Sequence, residues 1–592
     1  MADIGAASEK GSDVPYQQPV SASASPSYTG TEQSSYYEDD RNFVQRAIDS
    51  FKPIDLEDDG VDTTNMTELE KSIYATSRHP LARRLKARHL QMIAIGGSIG
   101  TGLFVGSGYA LAMGGPAGVL ISYILVGYSL FAVVMALGEM SVQFPVSGSF
   151  NAFFSRFVDP AWGFTLGLLY SLSWLISFPA ELVACSLTIS YWDDRVNPAV
   201  WVAVFLVAIS SINLFGVKGY GEVEFTLSII KVLAVIGFII VGICIICGVG
   251  DQGYIGARYW HNPGSFNHGF KGVCSAFISA AFSFGGVELV ALAASETANP
   301  RKALPRATKQ VFWRITLFYV TTAVVIGCLV PYTDDRLLNG SSSEDITSSP
   351  FVIAINNGGI NVLPDIMNAV ILVAVVSVGA SSVYGCSRSL ASLAVQGLLP
   401  KCIAYIDRNG RPLVAILITN AFGLLGFLAS SRNQSEVFTW LFSVCSLAAF
   451  FTWIAICFTH LRFRWALSAQ GRNTDEVIFA SPLGVWGSLA GMIVLILIVI
   501  GEIWVSIWPI GSPADVEQFF KNCLSMPLII VLVLSFKAYK GTLTKWLIPL
   551  DEVDLDTGRR EIDVEILKQE IADDRARIAA KSFWYRVYRF WC

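Results

Sequence analysis

Three of the ionisable side chains within long apolar stretches of the chain are candidates for a functional role, because a charge is costly there. Glu181 follows Pro179, Lys231 lies in the run Ser228–Ala234, and Glu288 stands in a glycine-interrupted apolar segment. A charge inside a membrane-length apolar segment is expensive, so such residues usually face a cavity or an ion pathway. We expect Lys231 to be a buried functional amine, with a snorkelling lysine as the alternative. Glu181 is a candidate to line the same cavity as Glu288.

Two glycine-rich interruptions indicate where a ligand could enter. Six glycines occur in the fourteen residues Ile95–Gly108, and a second interruption lies in Ala281–Leu289. One interpretation is a packing face of small residues spaced four apart. A dinucleotide-binding loop is disfavoured, because no strand precedes the first run. The third interpretation is a pair of unwound helices, whose free N–H groups and half-helix dipoles would face an anionic ligand group. The second interruption, five predicted spans after the first, favours this paired broken-helix site.

Membrane-spanning helices are the elements that must position these residues. The chain has 592 residues, of which 53% are hydrophobic and 15% charged, with a mean hydropathy of +0.52. Soluble domains carry roughly 25% charged residues, so a string of water-facing domains is excluded, as are collagen-like and disordered chains. Apolar runs of about 18–25 residues recur along the body. They begin near Gln91, Ala117, Trp162, Pro198, Phe225, Gly272, Phe312, Pro364, Leu413, Val437, Leu483 and Cys523. The sequence therefore predicts an all-α integral membrane protein with about twelve transmembrane helices.

Polar tails flank this apolar body. Residues 1–82 contain 15 acidic and 6 basic residues and are rich in Ser, Pro, Gln and Tyr, which predicts a disordered acidic tail. Residues 83–540 form the predicted transmembrane domain and residues 541–592 a second tail. No short apolar stretch follows basic residues near the start, so we expect no cleaved signal peptide. The first span would then act as its own insertion signal.

The distribution of Lys and Arg predicts the orientation. Fourteen of these residues, including Arg314, fall in predicted inner loops and six in outer loops, if the N-terminus is cytoplasmic. The sequons at Asn339 and Asn433 both fall in predicted outer loops and are candidate glycosylation sites. Both tails are therefore expected in the cytoplasm. Cys592 ends a basic aromatic stretch and is a candidate for palmitoylation. Glu139, near the inner end of the second span, is expected to be an interfacial or gating residue.

Catalysis and metal binding are not indicated. Most of the 11 cysteines lie in or beside apolar runs, and the 5 histidines form no ligand cluster with them. A membrane enzyme would need a nucleophile–base pair or metal ligands in its spans, where only His460, at an edge, is present. We therefore expect no enzymatic activity, no metal, no cofactor and no nucleic-acid partner.

Several longer motifs resemble a known family. Three segments together are similar to amino-acid permeases of the amino acid–polyamine–organocation superfamily: Ile95–Gly106, Phe282–Leu289 and Glu296–Lys302. Within it, further motifs resemble the fungal general amino-acid permeases. They are Phe215–Glu222, Lys309–Arg314, Asp556–Arg560 and the ending Phe590–Cys592. The resemblance extends from about Arg83 to the end of the sequence.

This resemblance implies a LeuT-like fold of two inverted five-helix repeats, with helices one and six broken and two extra helices. It implies symport of L-amino acids with protons across the plasma membrane by alternating access, with the proton as coupling ion and no other cofactor. The substrate site would comprise residues from the first, sixth, eighth and tenth spans. They are Ser98, Ile99, Gly100, Thr101, Gly102, Ala281, Phe282, Ser283, Phe284, Ser377, Val378 and Cys445.

The resemblance also implies roles for single residues. The substrate carboxylate would meet N–H groups in the first break and the ammonium would meet carbonyls in the second, with Phe282 as a lid. Glu288 matches an acid tied to proton coupling, and Lys231 matches a lysine that replaces the sodium ion of sodium-driven relatives. Glu181 is a further candidate for proton coupling. Cys445 departs from the Ser or Thr often found in the tenth span, which puts the side-chain selectivity in doubt.

Other functions stay open at this stage. A narrower permease, for proline or neutral amino acids, would use the same site. A transporter-receptor with a nutrient-sensing role would make use of the long acidic tail. The simpler interpretation of that tail, without nutrient sensing, is that it controls trafficking through the endoplasmic reticulum, Golgi and endosomes. Lys10, Lys52 and Lys71 would then be acceptors for ubiquitin ligase machinery. Expected partners are L-amino acids, protons, membrane lipids and that machinery.

Overall fold

The described part of the chain consists of α-helices joined by turns and short loops, in a computed structural model. The structure describes residues 49–54, 64, 66–78, 81, 84–97, 99–193, 195–339, 349–430, 434–559, 569, 572–573 and 576–586. This description does not include the side chains of residues 338, 339, 429, 430, 434–446, 475, 518 and 521. Two units divide the chain, Met1–Asp49 and Ser50–Cys592, and only Asp49 of the first is described.

The principal helices follow the predicted apolar runs. They are α1 (Glu68–Arg78), α2 (Ala87–Gly96), α3 (Gly102–Gln143), α4 (Pro160–Ser190), α5 (Pro198–Leu214), α6 (Gly216–Ile246), α7 (Gly269–Phe284), α8 (Leu289–Ala294), α9 (Pro300–Leu329), α10 (Leu363–Val395), α11 (Leu413–Gly423), α12 (Gln434–Ala469), α13 (Gly484–Ile507), α14 (Val516–Cys523) and α15 (Ser525–Lys540). Eleven of the twelve predicted starts lie inside one of these helices, and Leu483 immediately precedes α13.

Seven helical stretches among the described residues are long and apolar enough to cross a membrane. They are α3, α4, α6, α7 with α8, α9, α10 and α13. Two shorter apolar stretches are Pro198–Leu214 and Leu413–Leu428. The structure thus supports an all-helical protein with several membrane spans, and the count of twelve stays a prediction.

The predicted first and second spans meet at a kink rather than a loop. Within α3, Gly115 has φ 70° and ψ 175° and precedes Pro116. A Cβ at Gly115 would come within 2.8 Å of the Asn267 backbone nitrogen. Glycine is therefore required both by the positive φ and by the close approach of another chain segment. The proline ring then starts the next helical stretch without needing an N–H partner.

Two helices begin at a capping side chain that is followed by proline. Asp159 precedes Pro160, and its Oδ1 accepts a hydrogen bond of 2.8 Å from the Ala161 N–H at the start of α4. Asn197 does the same for α5, where its side chain accepts from the Ala199 N–H at 2.9 Å. A capping side chain followed by proline at the first helical position satisfies N–H groups that the helix leaves free.

Parts of both predicted tails contact the helical body. Ile73 of α1 is buried, and the Phe51 carbonyl accepts a hydrogen bond of 2.5 Å from the Tyr405 hydroxyl. At the other end, the buried Arg156 donates to the carbonyls of Asp554 and Thr557, both at 2.7 Å. The segments near residues 50, 70 and 550 therefore bury apolar and cationic groups on the body, while the bounds of the two tails stay a prediction.

Some predictions fall outside the description. Ser98, Asn433 and Cys592 are not among the described residues. Asn339 ends a short helix, Asp335–Asn339, but its side chain is not described, and neither is that of Cys445 in α12. Glycosylation, palmitoylation and the role of Cys445 stay predictions.

Candidate substrate cavity

Both glycine-rich interruptions are helix breaks, and the two breaks touch. Helix α2 ends at Gly96 and α3 begins at Gly102, while α7 ends at Phe284 and α8 begins at Leu289. A Cβ at Gly102 would lie 2.5 Å from Cα and 2.6 Å from the nitrogen of Ser283. Backbone approaches backbone here, so only glycine fits. Unwound backbone at membrane depth occurs where it lines a cavity or is buried in protein.

A cavity with about 60 Å³ of space for water-sized groups opens at these breaks. The lining combines the two breaks with side chains from α4, α10 and α12. It comprises Gly100, Thr101, Gly102, Tyr170, Ser173, Trp174, Ser177, Glu181, Ala281, Phe282, Gly285, Gly286, Glu288, Val378 and Ala449. The structure therefore brings together the glycines, the lid candidate Phe282 and the two acids Glu181 and Glu288.

Glu181 presents one free acceptor at the cavity wall. Its side chain is fully buried, and its Oε2 accepts a hydrogen bond of 2.6 Å from the Thr101 hydroxyl. Its Oε1 is also buried and has no hydrogen-bond partner among the described residues. A buried acceptor without a partner is costly, so a donor or cation arriving in the cavity would be stabilised there.

Glu288 lies at the second break, immediately before α8. It is 4% exposed, and its Oε2 accepts a hydrogen bond of 3.3 Å from the indole N–H of Trp453 in α12. The preceding break is held open by Gly286, whose φ is 89°. A Cβ there would lie 3.4 Å from the Trp174 ring and 3.7 Å from the Gly97 carbonyl. The acid is thus packed between the second break, α12 and α4, close to the first break.

Lys231 lies outside the cavity lining, in a buried polar network next to the first break. Its ammonium group donates to the Gly96 carbonyl at 2.6 Å and to the Ser377 hydroxyl at 2.7 Å. It also forms an ion pair with Glu224 at 3.4 Å, and both side chains are at most 1% exposed. The lysine therefore does not snorkel. Its ammonium joins the end of α2, α6 and α10.

Glu224 completes this network. One of its oxygens accepts from the Ser377 hydroxyl at 2.6 Å, and the other accepts from Ser228 at 2.9 Å as well as from Lys231. Along α6, Glu224 lies seven residues before Lys231, about ten ångströms away by helical rise. The two groups meet because Lys231 lies two turns further along α6, and its long side chain extends back toward Glu224.

Three other predicted site residues lie behind the cavity wall. Ile99 is fully buried and does not line the cavity. The Ser283 hydroxyl donates to the Ser279 carbonyl at 2.7 Å, and the Ser283 carbonyl accepts from the Tyr319 hydroxyl at 2.8 Å. Phe284 stacks on Tyr319 with ring centroids 4.2 Å apart. These residues support the second break from behind, while Val378 lines the cavity and would contact any Cβ at Gly100.

Sequence analysis missed the α4 face of the cavity. Tyr170, Ser173, Trp174 and Ser177 occur at three- and four-residue spacings, which places them on one face of α4 with Glu181. Because aromatic and small residues also fill helix–helix contacts, only the spacing relative to Glu181 could have indicated this face. Nothing in the sequence around Ala449 of α12 indicates that this residue lines the cavity.

Two buried ion-pair clusters lie apart from the cavity. Glu296 pairs with Arg388 at 3.0 Å and accepts a hydrogen bond of 3.0 Å from Tyr384, while its carbonyl accepts from the Leu85 N–H at 3.0 Å. This cluster joins the segment before α2, the end of α8 and α10.

The second cluster surrounds Glu139, which is fully buried. It pairs with Arg464 at 2.6 Å and accepts from the Ser481 N–H at 2.6 Å. Arg314, counted as a loop residue in the predicted orientation, is also buried; it donates to the Ala94 carbonyl at the end of α2. Charge counted by position in a loop therefore includes groups that fold back into the protein.

Comparison with known proteins agrees with this architecture. The model of the amino acid permease family matches residues 89–548. The chain is 68% identical over 551 residues to an S-adenosylmethionine permease of Candida albicans, covering 93% of this chain and 90% of the relative. It is 51% identical over 555 residues to a general amino-acid permease of Saccharomyces cerevisiae, covering 92% and 91%. An S-adenosylmethionine permease of the same yeast is 51% identical over 558 residues, covering 93% and 95%. These relatives are permeases rather than enzymes, and the chain belongs to the amino acid permease family.

Proposed function

We propose that this protein is a proton-coupled symporter that carries L-amino acids into the cell across the plasma membrane by alternating access. Its spectrum is broad, and its fold is a twelve-helix bundle with two inverted five-helix repeats. The observation that carries the proposal is the single cavity at which both helix breaks, Glu181 and Glu288 meet. Membership of the amino acid permease family supports the substrate class.

The cavity provides partners for both ends of an amino acid. The substrate carboxylate lies against the N–H groups of Gly100–Gly102, where the start of α3 contributes a partial positive charge. The substrate ammonium lies against carbonyls at the end of α7, near Ala281 and Phe282. Phe282 is half-buried at the cavity and acts as the lid. Val378 and Trp174 form the walls for the substrate side chain.

The proton is the coupling ion, and no other cofactor takes part. Glu288 touches both the second break and, through Trp453, helix α12, so its protonation changes contacts of two elements that must move. Lys231 replaces a bound cation by holding the end of α2 against α6 and α10. Glu181 accepts a hydrogen bond from the Thr101 hydroxyl, so a change in the charge of Glu181 alters a contact with the first break. Each of these three groups contacts an element that moves during alternating access. A change in its protonation therefore acts on that movement.

S-adenosylmethionine is a second candidate substrate. It has an amino-acid head group and, in addition, a sulfonium cation. The free Oε1 of Glu181 and the rings of Tyr170, Trp174 and Phe282 provide a carboxylate and aromatic faces, both of which attract cations. Two relatives are S-adenosylmethionine permeases by name, one of them 68% identical to this chain. A narrower amino-acid permease or a nutrient-sensing transporter-receptor would use the same cavity.

Both tails are cytoplasmic in this proposal, and trafficking runs through the endoplasmic reticulum, Golgi and endosomes. Ubiquitin ligase machinery acts on the acidic tail, and Cys592 carries a lipid at the inner surface.

A competition panel tests substrate class and spectrum together. Yeast lacking its own amino-acid permeases would express the chain and take up one labelled L-amino acid at two external pH values. Every L-amino acid and S-adenosylmethionine would compete in turn. We expect inhibition by many amino acids and faster uptake at the lower pH. Glu181→Gln should weaken competition by S-adenosylmethionine more than by neutral amino acids. Uptake that no amino acid inhibits would refute the proposal.

A further inference from the structure

One further buried acid lies outside the substrate cavity, and no described residue pairs with it. Glu502 stands five residues before the end of α13 and is 3% exposed. Its Oε1 is buried without a hydrogen-bond partner, and none of the described ion pairs includes Glu502. An isolated buried carboxylate is so costly that the group stays neutral or holds a cation. Sequence analysis passed over Glu502, although it carries the same signal as Glu288.

Glu502 lines a separate small cavity with about 10 Å³ of space for water-sized groups, which is about enough for one water molecule. The cavity is walled by Ile278 of α7, Leu447 and Phe450 of α12, Ser506 of α13, and Asn522 and Cys523 of α14. In the predicted orientation, Ser506 and α14 lie toward the outer surface, so an external proton could reach this group.

The titratable groups around Glu502 contribute no described positive charge. Tyr109 of α3, Cys274 of α7 and Cys523 of α14 are the titratable groups that face it. From α12 the neighbours are the apolar Leu447 and Phe450. Lys271 of α7 is engaged elsewhere, because it donates to the Pro509 carbonyl at 3.1 Å. Binding a proton neutralises this isolated carboxyl group, so the proton is the ligand that Glu502 binds most favourably in its apolar surroundings.

A short chain of contacts connects this second cavity to the proposed coupling site. Phe450 lines the Glu502 cavity, and its ring meets Trp453 edge-on at a centroid distance of 5.5 Å. Trp453 in turn donates to Glu288. Ile278 lines the same cavity one turn before Ala281 and Phe282, at the end of α7 that forms the second break. A change at Glu502 thus reaches two elements of the substrate cavity through packed side chains.

We propose that Glu502 is a second proton-binding site, outside the substrate cavity, whose occupancy sets the affinity for substrate through Phe450 and α7. This rests on the proposed transport function for its effect, but not for the binding of the proton. Protonation lets Glu502 settle in the apolar cavity and favours the packing that shapes the second break. Deprotonation draws water or a donor toward it and loosens that packing. Couplings between two sites usually amount to about 5- to 150-fold in affinity.

Glu502→Gln tests the site, because glutamine imitates the protonated carboxyl in shape and charge. We expect wild-type KM to fall at least about fivefold as external pH drops, whereas the variant keeps the low KM at every pH. Maximal rate and accumulation should stay within twofold of wild type. Glu502→Asp should restore pH dependence, and Glu517→Gln, which removes an exposed acid from α14, should behave as wild type. A wild-type pH profile in Glu502→Gln, or loss of accumulation, would overturn the proposal.

A second measurement does not depend on transport. Infrared difference spectra of the purified protein in lipid nanodiscs, recorded during a pH titration, should contain the carbonyl band of a neutral carboxylic acid. Glu181 and Glu288 also contribute to this region, so Glu502→Gln should remove one component of the band and Glu517→Gln should remove none. If the band of Glu502→Gln equals that of the wild type, the proton site is refuted even when transport is confirmed. If the component disappears but no amino acid is carried, the site stands and the proposed function fails. Sodium-dependent uptake that Glu502→Gln abolishes would assign the site to a metal cation instead.

Discussion

The contact between the two helix breaks makes Gly102→Ala a demanding test of the site. The added Cβ would lie 2.5, 2.6 and 2.8 Å from three backbone atoms of Phe282 and Ser283. Ordinary contact begins near 3.4 Å, so the two breaks must separate by roughly one ångström, and backbone atoms cannot rotate away as a side chain could. Overpacking of this kind costs about 1–3 kcal/mol. At about 1.4 kcal/mol per factor of ten, substrate affinity should fall by about 5- to 150-fold.

Gly106→Ala provides the matched control. It lies one helical turn further on the same helix, and its nearest foreign atom, the Ser279 hydroxyl oxygen, is 4.0 Å from the added Cβ. Uptake kinetics would be measured for both variants, normalised to surface protein labelled on intact cells. We expect Gly102→Ala to raise KM or abolish uptake and Gly106→Ala to stay near wild type. If both variants lose function equally, the glycines serve helix packing, and if Gly102→Ala is unaffected, the breaks do not form the site.

Three further predictions concern charge and the tails. Glu288→Gln should still equilibrate substrate but lose accumulation against a gradient, measured as the internal-to-external ratio of label; unchanged accumulation would end its coupling role. Lys231→Met should stop concentrative uptake, and Glu224→Gln should destabilise the purified protein by about 3–5 kcal/mol, because it leaves a buried ammonium unpaired. The double variant should unfold at a higher temperature than Glu224→Gln alone, and a lower one would refute the pairing. Removing Met1–Asp49 should spare uptake yet slow nutrient-induced loss from the cell surface, whereas removal through Lys71 also strips contacts to the body and should lower the surface level.

Helices and breaks were predictable because their signals are local. Long apolar runs located the helices, and clustered glycines located both breaks. Charges in apolar runs identified Glu181 and Glu288, which do line the cavity. Each of these signals can be read from a few neighbouring residues, so no knowledge of helix packing was needed.

The remaining features depend on which helices meet. Tyr170 and Trp174 resemble core residues until α4 is seen to face both breaks. Glu224 stands in a polar run and resembles a helix flank, but packing buries it with Lys231 and Ser377. Arg314 resembles a loop cation and is buried for the same reason. Burial of a polar residue requires a partner from another helix, and sequence separation hides that partner.

Accumulation of a labelled L-amino acid in proteoliposomes containing the purified protein tests the central claim most directly. The vesicles would carry an inward proton gradient and no sodium, potassium gradient or other energy source. The account predicts internal label above the external concentration, collapse of that excess when a protonophore is added, and only equilibration for Glu288→Gln. Label that reaches equilibrium but never exceeds it in the wild-type protein, with the gradient intact, would contradict proton-coupled symport.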